Sequence, residues 1–528
     1  MTALPAPAMC PSPRRRPCAA RERWCYKAMT VDGLILGAGA SVALFAASAA
    51  LDALVRPRVP ARSAAGLWLL AWMTAALFGL FLALCGNVTV AAALTLAVQV
   101  LLAVASNAKH AMLGEPLLFS DLAMVGAIFH HPQFYLSAVA MWQRIAAALV
   151  AAGLLAVLAW FFVADPAPHL AGAAGLAGAL ALLALSLRSA PYRRLAPVPC
   201  AHSDTRRLGL YPALLLYWLR WRESSDPPPC PEPVRQPPQE APEIVVVIQC
   251  ESFADPEELF GDAAMALPGL TAARANACQW GNLQVSGFGA YTMRTEYGVL
   301  FGREEEALGF RRYDPFLTAL GEGSYALPAR LEAARQGGWR SLFIHPHDMR
   351  FYGRDRIMPA GGFAELVGED RFAPPTPGEG RYVTDAAMAD EIMALAQAAR
   401  EPSLLYAVTI ENHGPWTSDS GSGGTDLMTG YLRLVRNSDA MLTTLTERLS
   451  ALKRPALLVF FGDHRPSIPG ATAPPAPETP SSKHTPYVII RMDEEGRIVP
   501  GERRRADLTP AALHHAVLDM VLGAPLSK

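Results

Sequence analysis

Long apolar segments fill most of the first 190 residues, and they constrain the fold more than any other feature of the chain. They cover residues 31–51, 66–85, 88–105, 145–163 and 170–187. Each is close to the ~20 residues that a helix needs to cross ~30 Å of hydrocarbon. They also lack the polar face that helices at a soluble core keep. The sequence therefore predicts about five transmembrane helices within residues 31–190, and a helical soluble core is disfavoured.

The charges beside these segments bear on orientation. Six basic residues precede the first segment: Arg14, Arg15, Arg16, Arg21, Arg23 and Lys27. By the positive-inside rule, residues 1–30 form a basic cytoplasmic tail, and five crossings place the chain after residue 190 outside the cytoplasm. Arginines in the first loop and after the last segment oppose this orientation, but large domains translocate with little regard to charge.

Three further stretches organise the first half of the chain. Residues 107–143 are too polar to span a membrane and predict an interfacial segment between the third and fourth spans. Within 191–243, the aromatic stretch 206–223 predicts a juxtamembrane helix anchored by Tyr and Trp, with a sixth span as the alternative. Residues 226–243 are rich in proline and predict an extended linker.

The cysteines decide little. No pair has the spacing of a thiolate zinc site, and a disulfide among Cys200, Cys230, Cys250 and Cys278 stays open. We expect no nucleic-acid partner.

From residue 244 onward, apolar runs alternate with helix-like stretches. The runs are "IVVVIQC", "WRSLFIHP", "SLLYAVTI", "PALLVFFGD" and "TPYVIIRM". This alternation predicts an α/β domain over residues 244–528 with a mostly parallel sheet.

Four of these runs end in polar groups, where an α/β enzyme builds its site. They deliver Glu251, the group 345–355, the group 411–413, and the pair Asp463 and His464. A carboxylate-rich set with one imidazole suits a divalent cation. Thr292 follows a glycine-containing stretch at a predicted helix start, where backbone N–H groups favour phosphate, and it is a candidate nucleophile.

The motifs "ESF", "GFGAYTMRTEYGVLFG", "FYGRD", "ENHGPW" and "FGDHRP" together resemble the metal-dependent alkaline phosphatase and sulfatase superfamily. The resemblance is strongest to its lipoteichoic acid synthase and phosphoglycerol transferase branch, where "LGEPLLFSDL" is similar to a segment between transmembrane helices. It implies an N-terminal bundle of about five transmembrane helices followed by an extracytoplasmic sulfatase-like α/β domain.

The resemblance also implies roles for individual residues. One divalent metal, with Mn²⁺ preferred over Zn²⁺ or Mg²⁺, is expected to be held by Glu251, Thr292, Asp463 and His464. Thr292 is the implied nucleophile, and His413 matches the histidine beside the leaving oxygen. Arg354 matches a phosphate-binding arginine, and Tyr352 stands where the branch usually carries Trp. His347 and Asp348 lie near a further substrate-contacting position.

The implied reaction transfers phosphoglycerol from a phospholipid, with phosphatidylglycerol as the expected donor, to a glycan or polyglycerol phosphate acceptor. It passes through a covalent phospho-threonine, in the inner membrane of a bacterium with the catalytic domain on the periplasmic side. No C/S-x-P-x-R sequence surrounds Thr292, so sulfate ester hydrolysis is disfavoured. Two alternatives stay open: phosphoethanolamine transfer, and a catalytically silent envelope protein that binds or scaffolds.

Overall fold

A computed structural model describes residues 41–122, 159–225, 241–319, 323–334, 338–376, 380–414, 416, 427–474 and 483–523, with 145, 149, 152, 153, 155 and 156 between them. The predicted cytoplasmic tail, most of the interfacial segment and nearly all of the Pro-rich linker lie outside these residues. The N-terminal helices are α1 (Ser41–Ala53), α2 (Ala64–Cys85), α3 (Val88–Leu113), α4 (Pro166–Arg188), α5 (Ala190–Arg193), α6 (Ala201–Leu208) and α7 (Leu210–Glu223).

Three of these helices, α2, α3 and α4, are long and apolar enough to cross a membrane. They correspond to the second, third and fifth predicted spans, while the first and fourth fall partly on residues outside the described ranges. Two boundaries differ from the prediction. α3 continues eight residues past residue 105, and α4 begins at Pro166, ahead of the predicted start at residue 170, because Asp165 caps it and Pro166 occupies its first turn.

Small residues let α2 and α4 approach closely. A Cβ added at Gly79 would lie 2.6 Å from the backbone nitrogen of Leu176, and one at Gly172 would lie 2.4 Å from that of Ala83. Such contact between backbones is a usual way for helices to associate where apolar burial gives no driving force.

Arg62, one of the loop arginines that opposed the predicted orientation, is buried. Its Nε donates to Asp52 Oδ2 at 3.0 Å, and its Nη2 donates to the Asp52 carbonyl at 2.7 Å. Asp52 also accepts from the backbone N–H of Leu210, which is the first residue of α7. Arg62 is therefore neutralised inside the fold and is not a free loop charge.

The predicted juxtamembrane helix 206–223 is two helices. They are separated at Gly209, whose φ of 94° lies in a region that favours glycine. The second helix, α7, buries much of its surface, including Leu210, Tyr211 and Tyr217. It packs on the other helices, and the Tyr211 hydroxyl donates to the Gln99 carbonyl of α3 at 2.6 Å.

The C-terminal domain contains one sheet of eight strands, in the order β4-β3-β5-β1-β6-β7-β2-β8. The strands are β1 (Ile244–Cys250), β2 (Gln279–Leu283), β3 (Arg340–Ile344), β4 (Glu365–Val367), β5 (Ser403–Val408), β6 (Ala456–Gly462), β7 (Thr485–Met492) and β8 (Arg504–Arg505). β4, β3, β5, β1 and β6 are parallel, whereas β7 pairs antiparallel with both β6 and β2. The sheet is thus mixed, and its parallel half contains the predicted strand ends.

Helices cover both faces of this sheet. They are α8 (Pro256–Phe260), α9 (Pro268–Asn276), α10 (Thr292–Phe301), α11 (Phe316–Ala319), α12 (Leu327–Ala334), α13 (Arg354–Ala360), α14 (Asp385–Ala398), α15 (Leu427–Ala451) and α16 (Pro510–Leu522). Short 3₁₀ turns lie at Ala263–Met265, Glu305–Tyr313, Gly323–Tyr325, Phe351–Gly353 and Glu369–Arg371. Along β1, Val246 and Ile248 pack with α9, α14 and α15, while Val245 and Val247 pack with α10, α12 and α16. Burial of alternate residues on both faces explains the uninterrupted apolar run of β1.

Candidate active site

Two neighbouring parallel strands bring the first pair of candidate ligands together. β1 and β6 are paired in register, with Cys250 opposite Gly462. The residues that follow, Glu251 and Asp463, therefore lie side by side at the carboxyl edge of the sheet. The backbone N–H of Ser252 donates to Asp463 Oδ1 at 2.8 Å, and the Ser252 hydroxyl donates to Glu251 Oε1 at 2.8 Å. These bonds hold both carboxylates in place.

His464 completes a compact cluster of three side chains. Its Nε2 lies 3.4 Å from Glu251 Oε1 and 3.7 Å from Asp463 Oδ2. One ligand atom from each of the three residues lies within 4.8 Å of the others. All three side chains are buried, and Asp463 is 0% exposed.

The electrostatics of this cluster favour a cation. Burial and the nearby charge of Glu251 raise the pKa of Asp463. Burial alone would lower the pKa of His464, but the two carboxylates raise it. Asp463 Oδ2 is buried and has no hydrogen-bond partner among the described residues. An orphaned carboxylate oxygen between a second carboxylate and an imidazole fits a divalent cation, which would satisfy it.

Thr292 lies beside this cluster. It is the first residue of α10, is 9% exposed, and its side chain lowers the pKa of Asp463. One turn later, the Thr295 hydroxyl donates to the Asp463 backbone carbonyl at 2.9 Å. Tyr291, just before Thr292, has a φ of 78°, which is uncommon for a residue with a bulky side chain. This turn places the Thr292 hydroxyl at the start of the helix.

Glu251 and Thr292 open into a cavity of about 1000 Å³. His347 and His413 line the same cavity. Nδ1 of His413 lies 2.7 Å from the Gly414 carbonyl oxygen. Since this contact occupies Nδ1, Nε2 is the ring nitrogen that can face the cavity. Nδ1 of His347 accepts from the backbone N–H of Asp348 at 2.8 Å, and burial lowers the pKa of its imidazole.

Arg354 also lines the cavity, and a buried glutamate holds it. Its Nε donates to Glu296 Oε1 at 3.0 Å and its Nη2 donates to Oε2 at 2.6 Å. The guanidinium is 2% exposed and Glu296 is 0% exposed. Glu296 therefore takes the edge of the guanidinium that is formed by Nε and Nη2. Tyr352 lies over this group, with its ring centroid 5.3 Å from the guanidinium carbon.

The resemblance puts Asp348 near a substrate-contacting position, but it is His345, another residue of the group 345–355, that lies in the cavity lining. Asp348 is not among the residues that line the cavity, and its carboxylate is paired with the exposed Arg350. His345 does line the cavity and is 4% exposed, with Nδ1 2.9 Å from the Val408 carbonyl. Burial and the positive charge of Arg354 lower the pKa of His345 well below its usual range, so it is neutral. The sequence signal was present, because His345 directly follows β3, but the nearby His347 and Asp348 were chosen instead.

Glu296 is a functional residue that sequence reasoning missed. It is the fourth residue after Thr292, in a helix whose only obvious feature is the candidate nucleophile. Its partner is 58 residues away along the chain. No local sequence pattern predicts that Glu296 pairs with Arg354.

Comparisons with known proteins find one sequence relative and several similar folds. A capsular polysaccharide biosynthesis protein, RkpI of Rhizobium meliloti (strain 1021), is 30% identical over 463 residues, which cover 83% of this chain and 83% of that protein. The phosphoglycerol transferase GacH of Streptococcus pyogenes, solved with sn-glycerol-1-phosphate, is 18% identical and covers 55% of this chain and 78% of that one, with a TM-score of 0.43. The integral membrane lipooligosaccharide phosphoethanolamine transferase A of Neisseria meningitidis is 15% identical and covers 70% of this chain and 75% of that one, with a TM-score of 0.43.

The family match covers the whole domain that carries the site. The sulfatase family model matches residues 243–518, which is just over half of the chain and begins one residue before β1. It includes all of the residues that line the metal cluster and the cavity. The chain is a member of the sulfatase family, as its motifs predict, with an N-terminal part of apolar helices joined to a sulfatase-like α/β domain.

Proposed function

We propose that this protein transfers a phosphoglycerol unit from a phospholipid head group to a glycan, through a covalent intermediate on Thr292. One observation carries the proposal. A threonine hydroxyl at the start of a helix lies beside the cluster of Glu251, Asp463 and His464, at the edge of a large cavity. A hydroxyl in this setting is suited to attack phosphorus, and the N–H groups of the helix start favour phosphate.

The donor set suits one divalent cation, with Mn²⁺ preferred. Two carboxylates, one imidazole and the Thr292 hydroxyl would hold it. Such an ion lowers the pKa of a hydroxyl and offsets negative charge on phosphate oxygens.

The protein's own side chains carry out the remaining steps of the reaction. The Thr292 hydroxyl gives its proton to solvent, its oxygen forms a bond to the head-group phosphorus, and the bond from phosphorus to the diacylglycerol oxygen breaks. His413 supplies the proton that diacylglycerol takes away. An acceptor hydroxyl then attacks phosphorus and its proton returns to His413, while the Thr292 oxygen leaves and takes a proton back from solvent. Arg354, fixed by Glu296, orients the phosphate with the free edge of its guanidinium.

The expected partners follow from the membrane part and from a relative. Three helices of the described residues are long enough to span a bilayer, and they support a site close to abundant phospholipid. RkpI is described by its role in capsular polysaccharide biosynthesis, which supports a glycan as the acceptor. We place the protein in a bacterial inner membrane, with the catalytic domain on the periplasmic side.

Mass spectrometry of the full-length protein tests the reaction. The protein is incubated with Mn²⁺ and vesicles of phosphatidylglycerol, or of phosphatidylethanolamine, and the peptide that contains Thr292 is examined. We expect a glycerol phosphate adduct that Thr292→Ala lacks and Thr292→Ser keeps. A phosphoethanolamine adduct instead would identify the other transferase. If neither lipid gives an adduct or releases diacylglycerol when glycan acceptors are present, the protein is not a transferase of this kind.

A further inference from the structure

A segment from the membrane part of the chain contacts the loop that presents Thr292. This docking segment, residues 112–121, follows the last turn of α3. Leu118 and Phe119 are buried in an apolar cluster with Phe310 and Tyr313 of the catalytic domain. The docking segment thus joins a candidate membrane span to the domain that carries the chemistry.

The polar side of this contact is centred on Glu115. Arg294 is the third residue of α10. Its Nη1 lies 3.5 Å from Glu115 Oε1, and its Nη2 lies 3.5 Å from Glu115 Oε2. The Nζ of Lys109, in α3, lies 3.4 Å from Glu115 Oε2 and is also paired with Asp121. Arg294 has a side chain that is 4% exposed, so Glu115 offsets a buried charge.

Arg294, which contacts Glu115, also contacts Tyr291, the residue before the candidate nucleophile. Its guanidinium carbon lies 3.9 Å from the centroid of the Tyr291 ring, and its backbone N–H donates to the Tyr291 carbonyl at 2.8 Å. Tyr291 holds the left-handed backbone conformation that starts α10. A bulky residue stays in such a conformation only when its surroundings impose it, and the stacked Arg294 is one of those surroundings.

A second contact reaches the other side of the site. The hydroxyl of Ser467, three residues after His464, donates to the Met112 carbonyl at 2.6 Å. Ser467 in turn lies against Gly289, where an added Cβ would come within 2.4 Å of its Cβ and 3.1 Å of Leu113 Cδ2. The backbone N–H of Gly289 donates to the Arg465 carbonyl at 2.8 Å. The docking segment therefore contacts both the loop that precedes Thr292 and the loop that follows His464.

The charge on Glu115 is secure at neutral pH. Burial alone would raise its pKa, but the charges of Arg294 and Lys109 lower it to about 2. The contact is therefore ionic under all ordinary conditions.

We propose that Glu115 is a positioning residue for Thr292: through Arg294 and Tyr291, the membrane part of the chain fixes the loop that presents the nucleophile. This inference rests on the proposed function, because it assigns Glu115 a role in that reaction. It means that the catalytic domain alone does not carry the whole active site.

Full-length protein in nanodiscs with Mn²⁺ and phosphatidylglycerol provides the test. We expect Glu115→Gln to lower the maximal rate of diacylglycerol release about fivefold to twentyfold. The donor fraction that gives half-maximal rate should change less than twofold, because no donor contact is lost. Arg294→Gln should lower the rate similarly, and the double variant should cost little more than either single variant, since both interrupt one path.

A matched control separates this role from a general loss of stability. Glu365→Gln removes a partly buried ion pair with Arg340 at the β4 edge of the sheet, and it should leave the rate unchanged. Hydrogen exchange, which needs no substrate, should become faster in Glu115→Gln at residues 284–294 and stay as in wild type at 244–250.

The outcomes are distinct. A wild-type rate in folded Glu115→Gln, or unchanged exchange at residues 284–294, refutes the positioning role. Absence of diacylglycerol release from the wild-type protein would refute the proposed function instead, and the exchange experiment would still test the contact.

Discussion

Two charged clusters flank Thr292, and they are built on opposite principles. The metal cluster, Glu251, Asp463 and His464, brings two carboxylates together and leaves one buried oxygen without a partner among the described residues. The docking cluster, Glu115 with Lys109 and Arg294, contains its own cations. The negative charge of the first is not offset by a neighbouring Lys or Arg of the cluster, whereas that of the second is.

The difference teaches how to separate catalysis from architecture in this chain. In a cluster that lacks a counter-charge, the carboxylates repel each other, and a cation that relieves this repulsion binds more tightly. A cluster that is already balanced has nothing to gain from an ion and acts by fixing geometry. Variants of both clusters should therefore lower activity, but they should have opposite effects on the stability of the metal-free protein.

The largest contrast is expected from Asp463→Asn. The variant keeps the shape of the side chain but removes a negative charge from the metal cluster, so diacylglycerol release should fall about 10³-fold or more. The metal-free variant should nevertheless unfold at the same temperature as the wild type or higher, because repulsion with Glu251 is relieved. Unfolding well below the wild type in EDTA would contradict this account.

Glu296→Gln should be the most destabilising of these changes. It leaves the guanidinium of Arg354 buried without its carboxylate, at a cost of about 3–5 kcal/mol. Denaturant unfolding measures this loss. The variant Glu391→Gln, whose partner Arg371 is exposed, serves as the control and should change stability by less than about 1 kcal/mol.

Metal addition should stabilise the protein through the metal cluster alone. At a free Mn²⁺ concentration 100 times the dissociation constant, binding adds about 2.7 kcal/mol to the free energy of unfolding. Thermal unfolding in EDTA and in Mn²⁺ gives the shift. It should disappear in Asp463→Asn and persist in Glu115→Gln, and loss of the shift in both variants would show that the clusters are not independent.

The docking cluster should respond to acid within a defined window. The pKa of Glu115 is lowered in the folded protein to about 2, from an ordinary value of 4.5. Its contribution is therefore complete above pH 4.5 and is lost as the pH falls towards 2. The difference in the free energy of unfolding between wild type and Glu115→Gln, on the order of 1–2 kcal/mol at pH 6, should shrink below pH 4.5.

The smallest effect is expected from Asp348→Asn. Because its carboxylate pairs with Arg350 away from the cavity lining, the rate should change less than about twofold. His345→Gln, in contrast, alters a side chain that lines the cavity and should lower the rate more. Equal losses for the two variants would return Asp348 to the substrate-contacting set that the sequence predicts.

Much of the catalytic domain could be predicted from the sequence. The runs at 244–250 and 485–492 coincide with β1 and β7, since strands buried on both faces are uninterrupted in their apolar character. The direction of β7 could not be predicted, because an apolar run has the same pattern in a parallel and in an antiparallel strand. β2 was missed because its residues, Gln279–Leu283, include Gln, Gly and Asn and carry no strand pattern.

The site shows the same division. Glu251, Asp463 and His464 follow strands that end at one edge, so their proximity was a consequence of topology. The partners of Arg354 and Arg294 were not readable, because each pair joins residues far apart in sequence through one contact that no local pattern encodes. The predicted Pro-rich linker suggested a spacer between the two parts of the chain. The described residues instead place the docking segment in direct contact with the catalytic domain.

The hydrogen bond from Ser467 to the Met112 carbonyl has a consequence for how this protein meets its substrates. One of the last carbonyls of a membrane-length helix, which has no partner within the helix, is satisfied by the loop that follows a candidate metal ligand. If the protein acts on a phospholipid as proposed, this bond would hold the site at a fixed height above the hydrocarbon instead of on a flexible tether. Encounters with lipid would then depend on diffusion in the plane of the bilayer, and only the acceptor would have to arrive from the water.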